Sequence, residues 1–179
     1  MEGPLGTRTN AALTAGALLA SIALFAACKK GGPDWRILQL YSGETSVDLL
    51  SHPSKVQAFR VDAAPRAPKL GETHAGPFIA TAPSVDVPAD AAAALSTLLQ
   101  DADAYDWRRG PKPFKPQVGL AFVRGAYVLE LALDFETSQI RVYAGDQPLG
   151  SQSIAPSRDR FLAVAKRVFP EDAAVQALR

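Results

Sequence analysis

The chain has 179 residues, and its 19 Lys and Arg against 18 Asp and Glu leave a net charge of +1. That balance offers no electrostatic fit to nucleic acid or to an acidic polymer, so no nucleic-acid partner is expected. A single cysteine excludes an internal disulfide, and one thiol with two histidines is too few for a structural zinc site; neither a metal nor a cofactor is implied.

Residues 1–10 are polar, with Arg8 offset by Glu2, and residues 11–27 carry no charge and are mostly Ala and Leu. This is the length and texture of a signal-peptide apolar region. As a permanent span it is short: a bilayer core needs roughly 20 apolar residues, and these 17 are diluted by Thr14, Gly16 and Ser21. The stretch closes on Leu24-Phe25-Ala26-Ala27-Cys28-Lys29-Lys30. That run resembles the lipobox of bacterial lipoproteins, with Phe25 where the pattern usually has Leu. The resemblance implies cleavage before Cys28, a diacylglycerol thioether on its sulfur, and anchorage in a bacterial envelope membrane. Ala26 and Ala27 are small enough for a peptidase to approach the backbone. Two readings compete, an uncleaved N-terminal helix and ordinary signal cleavage with a free thiol. Against the uncleaved helix, Lys29 and Lys30 outnumber Arg8, and the positive-inside bias would keep the following domain in the cytoplasm. Lys29 after the cysteine points to the periplasmic face of the outer membrane if sorting follows the enterobacterial rule. Residues 1–27 are thus expected to be a signal peptide and residues 28–34, with Gly31-Gly32-Pro33, a short tether. Residues 35–179 are enough for one domain with one core.

Residues 35–41 alternate loosely and read as a first strand, and residues 55–62, with Val56, Phe59 and Val61 apolar, as a second. Residues 63–77 are rich in Pro, Gly and Ala without periodicity, which predicts an exposed loop, and residues 78–82 a short return to the sheet. The Asp86-Val87-Pro88-Ala89-Asp90 segment marks a helix start, and Ala91, Ala94, Leu95, Leu98 and Leu99 continue at helical spacing to about residue 100. Residues 117–124 and 126–135 alternate on either side of Gly125 and predict a β-hairpin. Its alternation places Tyr127, Leu129, Leu131, Leu133 and Phe135 on one face. Glu130 and Asp134 fall on the other, predicted to be in solvent and partly balanced by Arg124 and Arg141. Further strands are expected over residues 139–143 and 149–154. A helix opens at Pro156, with Phe161, Leu162, Val164, Ala165, Val168 and Phe169 inward and Arg158, Asp159, Lys166 and Arg167 solvated. Pro170 ends it, and residues 171–178 form one more short helix. The expected fold is α+β: an antiparallel sheet of about four to six strands with two main helices packed on one face.

Trp107, Arg108, Arg109, Lys112, Phe114 and Lys115 form the one local cluster of cations interleaved with aromatics, a combination that binds phosphates or glycans by pairing and stacking. The competing reading is a Pro-stiffened surface loop whose rings tuck into the core. Asp101, Asp103 and Asp106 suggest calcium, but the sixth and twelfth positions of an EF-hand loop would be Asp106 and Lys112 where Gly and Glu are needed. Ser51 beside His52 has no nucleophile elbow around it, and there is no Gly-rich phosphate loop.

Tyr105-Asp106-Trp107, the hairpin of residues 117–135 and Val168-Phe169-Pro170 resemble corresponding pieces of uncharacterised small secreted bacterial proteins, over residues 87–172. Some of those proteins carry cysteines around the hairpin where this chain has Asp134 and Thr137, so no cysteine-dependent property is implied; nor is any activity. The expected function is a lipid-anchored envelope module that binds the membrane through Cys28 and an envelope protein or glycan through its domain, and is not an enzyme. The alternatives are an envelope enzyme inhibitor or ligand-binding lipoprotein, and an enzyme of unrecognised type.

Overall fold

The computed structural model describes residues 32–110 and 112–179; the signal-like segment and Cys28 lie outside them. Asp34 is the N-cap of the first helix, its carboxylate accepting the Arg36 N–H at 2.8 Å. The helix it starts, α1 (Trp35–Leu40), replaces the strand expected over residues 35–41. Ile37, Leu40 and Tyr41 are all buried, and their i, i+3, i+4 spacing is helical. Over so few residues the strand and helix periods cannot be told apart. Gly43, at φ +116°, turns the chain into a second helix that the sequence reading left unassigned, α2 (Glu44–Ser51), which buries Val47, Leu49 and Leu50.

Strands β1 (Lys55–Arg60), β4 (Val85–Asp86), β5 (Val118–Arg124), β6 (Tyr127–Asp134), β7 (Gln139–Ala144) and β8 (Gln147–Ser153) form one sheet. Their order is β4-β1-β5-β6-β7-β8, with every neighbouring pair antiparallel. The hairpin lies where alternation put it, with Leu120 opposite Leu131 and Phe122 opposite Leu129. Helix α3 (Ala89–Gln100) follows Pro88, and α4 (Arg158–Val168) and the short α5 (Ala173–Gln176) close the chain. Leu95 and Leu99 of α3 and Phe161 of α4 pack with Leu120, Phe122, Leu131, Leu133 and Val142 in the main core. The fold is thus α+β, with the helices against one face of a six-stranded antiparallel sheet. Arg167 pairs with Asp90 across α4 and α3. Arg158, expected in solvent, is half-buried and donates from Nε to the Phe135 carbonyl at 2.7 Å. Among the described residues no helix is long and apolar enough to cross a membrane.

The other sheet face is not the solvated surface that alternation predicts. Glu130 is only 7% exposed and Asp134 is fully buried. Arg124 and Arg141 do not balance them: Arg124 pairs with Asp48 at 2.8 Å, and the Arg141 guanidinium lies 4.2 Å above the Phe114 ring. The cover comes from the segments read as exposed loop. Strands β2 (His74–Ala75) and β3 (Phe78–Ile79) pair with each other around Gly76, so the strand expected over residues 78–82 is the shorter β3 of a small separate sheet rather than a return to the main one. Val61 bridges Ala80, which holds this flap down. Gly119, Ala121 and Ala132 leave a hollow on the covered face, into which Phe59, Phe78, Phe114 and Tyr143 pack. At Gly119 a methyl group would overlap the Phe59 ring, so the absence of a side chain there makes room for it. Gly76, at φ +56°, lies against the Tyr143 ring in the same way.

Candidate functional site

The residues singled out as one basic-aromatic loop are divided between the two sides of the sheet. Trp107 packs at the margin of the main, helix-side core. Phe114 joins the aromatic cluster under the flap, its centroid 5.5 Å from that of Phe78. Lys112 and Lys115 serve the fold through their backbones. The Lys112 N–H donates to Gln139 Oε1 at 3.3 Å, and the Lys115 N–H to Asp134 Oδ2 at 2.8 Å. Arg109 is tied to Asp106 at 2.8 Å, and Arg108 is exposed. Six residues adjacent in sequence therefore do not make one surface.

What Trp107 does join is a residue the sequence reading took for a strand. It flanks a groove of about 360 Å³ between α1 and edge strand β8, lined by Trp35, Arg36, Gln39, Ser151 and Gln152 among others. Both tryptophans of the chain stand on this groove. Trp107 is held from behind. Its Nε1–H donates to the Ala102 carbonyl at 2.8 Å, and its ring centroid lies 5.2 Å from that of Tyr105. Tyr105 is itself buried, its hydroxyl donating to the Leu99 carbonyl at 2.8 Å and lying 2.8 Å from the Tyr41 hydroxyl. Burial pushes both phenols up from their ordinary pKa, so they stay protonated struts between α1 and the end of α3. The Arg36 guanidinium sits 5.2 Å from the Trp107 centroid while donating from Nε and Nη2 to Asp34 at 3.0 and 2.8 Å. These hydrogen bonds hold the Asp34 carboxyl down at about 2. Asp106 ties the segment to the sheet, its backbone N–H donating to the Ser153 carbonyl at the end of β8 at 2.9 Å. The Tyr-Asp-Trp segment thus docks the chain onto the sheet edge and fixes one side of the groove.

A larger hollow of about 760 Å³ lies between β1 and α3, but Ser, Ala and Thr dominate its lining, and its Lys55 and Asp86 pair with each other at 2.9 Å. The second concentration of titratable groups is Glu130 under the flap. Its Oε2 accepts the Gly76 N–H at 3.0 Å and lies 3.4 Å from Nδ1 of His74, a nitrogen with no hydrogen bond. Burial pushes the Glu130 carboxyl above its ordinary value of 4.5, the Gly76 N–H and His74 oppose the shift, and Asp146 adds to it. A carboxyl with a raised pKa binds its proton more tightly folded than unfolded. Its contribution is therefore present below pH 4.5 and is lost as pH rises through the raised value. Glu130→Gln removes this titration and keeps an oxygen for Gly76. Thermal melts across a pH series are expected to fall less steeply above pH 4.5 for Glu130→Gln than for the wild type. Equal slopes would mean that Glu130 titrates alike in folded and unfolded chains.

Among the described residues no group of three or more His, Cys, Asp and Glu is arranged to hold a metal ion. Cys28, the expected lipidation residue, lies outside the described residues. The contribution of Trp35 was missed because its segment was read as a strand; Asp34 followed by apolar residues at i, i+3, i+4 was the available helix signal. No family model, no curated protein and no solved structure matches this chain.

Proposed function

We propose that this is a lipid-anchored protein of the bacterial envelope, held by Cys28, whose domain works by binding. The observation that carries the reading is the position of the aromatic groove. Trp35 stands on its rim and follows Cys28 by seven residues, a distance that a fully extended chain spans in about 25 Å at most. A lipid on Cys28 would hold the groove close to the membrane surface. The partner is an envelope protein or glycan, and the periplasmic face of the outer membrane is the expected location. An inhibitor of an envelope enzyme would use the same groove. The arrangement that speaks for catalysis instead is Glu130 beside His74, but Glu130 is buried beneath the flap.

The lipid is the testable part. Each buried methylene adds about 0.8 kcal/mol of membrane affinity, so a diacylglycerol with an N-acyl chain anchors durably where a single chain does not. Cells fed a radiolabelled fatty acid are expected to label the wild-type protein and not Cys28→Ser, with the melting temperature of the domain unchanged. A wild type that takes up no label, or a Cys28→Ser variant that takes up as much, would remove the anchor from this reading.

A further inference from the structure

We propose that the groove between α1 and β8 is a subsite for a neutral glycan, with a sugar ring stacked on Trp35. The proposal rests on the reading of the domain as an envelope binding module and names the ligand class of its groove. Trp35 leaves 69% of its surface in water. An indole face is a large apolar platform, and the C–H face of a pyranose is the chemistry that covers such a platform while keeping its hydroxyls outward. The opposite wall, Trp107, is fixed by its hydrogen bond to Ala102 and its packing on Tyr105, so the groove exists before any ligand arrives. Between the two walls, beside Leu40, Leu149 and the cation Arg36, the lining carries three uncharged polar side chains, Gln39, Ser151 and Gln152. Gln39 and Ser151 are exposed, and their side chains have no hydrogen-bond partner among the described residues. The Gln152 amide nitrogen donates to the Asp106 carbonyl at 2.5 Å, which leaves its carbonyl oxygen as an acceptor. Amide and hydroxyl groups of this kind match the hydroxyls and acetamido groups of a sugar.

Charge decides against an anionic ligand. The cation in the groove, Arg36, already spends two of its nitrogens on Asp34 and lays its plane beside Trp107. Arg109 on the flank is matched by Asp106. A phosphate would have to displace these carboxylates; a neutral ligand need not. The groove volume, about 360 Å³, is at the small end of ligand sites, which run roughly 300–1,000 Å³, and suits a short stretch of glycan. Gly150 sets how closely the walls stand, because a methyl group there would overlap the Leu40 carbonyl at the end of α1.

The test uses the full-length lipidated protein in a zwitterionic detergent without a sugar headgroup, titrated with chitotetraose, a neutral β-linked N-acetylglucosamine oligomer. Calorimetry gives the affinity. Intrinsic fluorescence locates the event, because both tryptophans of the chain stand on the groove. Saturable binding with a change in tryptophan emission is expected. With the stacking platform removed, Trp35→Ala is expected to weaken binding about fivefold or more. Its melting temperature should not change, since the ring is exposed. Gln39→Ala is expected to weaken binding several-fold by the loss of one hydrogen-bonding group. No heat and no emission change at millimolar chitotetraose would overturn the proposal, as would wild-type affinity in Trp35→Ala. An emission shift produced by phosphatidylethanolamine–phosphatidylglycerol vesicles on Cys28→Ser, without any response to the sugar, would overturn it in favour of a lipid surface. Fatty-acid labelling reports on the anchor separately: sugar binding by an unlabelled protein would leave the subsite standing without its membrane attachment.

Discussion

Asp134→Ala is expected to lower the free energy of unfolding by about 3–5 kcal/mol, among the largest effects of any single substitution in the domain. The side chain is fully buried at the end of β6 and accepts four hydrogen bonds. Three come from backbone N–H groups, those of Lys115 at 2.8 Å, Glu136 at 2.9 Å and Thr137 at 3.0 Å, and the fourth from the Thr137 hydroxyl at 2.7 Å. Alanine would leave three part-buried backbone donors without their acceptor, which is costlier than the loss of the bonds themselves. The Lys115 bond also pins the segment that brings Phe114 over the sheet, so its loss would loosen the aromatic cluster beneath. Denaturant unfolding at neutral pH measures the cost, and amide exchange at Lys115 and Thr137 locates it. Those two amides are expected to become fast exchangers. A cost below about 1 kcal/mol with protection intact would show that the turn and the loop hold their shape without the carboxylate.

Asp134 also shows where reading from the sequence reached its limit. Alternation along β6 correctly separates Leu129, Leu131 and Leu133 from Glu130 and Asp134, and the register agrees. What alternation cannot supply is whether anything covers the second face, because the cover here is an aperiodic stretch with only two short strands and a Pro-rich loop. A signal was present in the sizes of the residues. Gly119, Ala121 and Ala132 are small for the solvent side of a sheet, and they make the space that Phe59, Phe78 and Phe114 fill. The first two helices were hidden for a different reason. In segments of six and eight residues the helical period completes barely two turns; for α1 the informative feature was the capping Asp34 ahead of the apolar pattern, whereas α2 begins at Gly43 with no side-chain cap. The long elements, α3, the hairpin and α4, have enough repeats for their period to be unambiguous.

The candidate site was legible in part for a related reason. Trp107 stood out as an aromatic among cations, yet its neighbours in sequence are not its neighbours in space. Between Trp107 and Phe114 the chain passes from the helix side of the sheet to the flap side, and the cations along it become backbone donors or paired surface groups. The partner that makes a groove with Trp107 lies some seventy residues earlier, on a helix that Gly150 allows to sit close against β8. Only the tertiary fold joins the two indoles.

The hairpin supplies the second large effect and its own control. Leu131 sits at the middle of β6, opposite Leu120 on one side and Val142 on the other, with no exposed surface. Leu131→Ala is expected to cost about 2–5 kcal/mol, the range for a buried leucine whose neighbours cannot collapse into the space. Sheet on one side and helices on the other both resist that collapse, which places the expectation in the upper half. Tyr127 has the same parity on the same strand, yet at the hairpin tip 66% of its surface is exposed. Tyr127→Ala should therefore stay within about 0.5 kcal/mol of the wild type. Denaturant titration of both variants checks the pair, with the slope against denaturant unchanged in each. Equal costs at the two positions would mean that the helices cover the tip as they cover the middle of the strand, or that the strand pairs in another register. In a register slipped by one residue, Glu130 would turn toward the helices and Leu131 toward the flap.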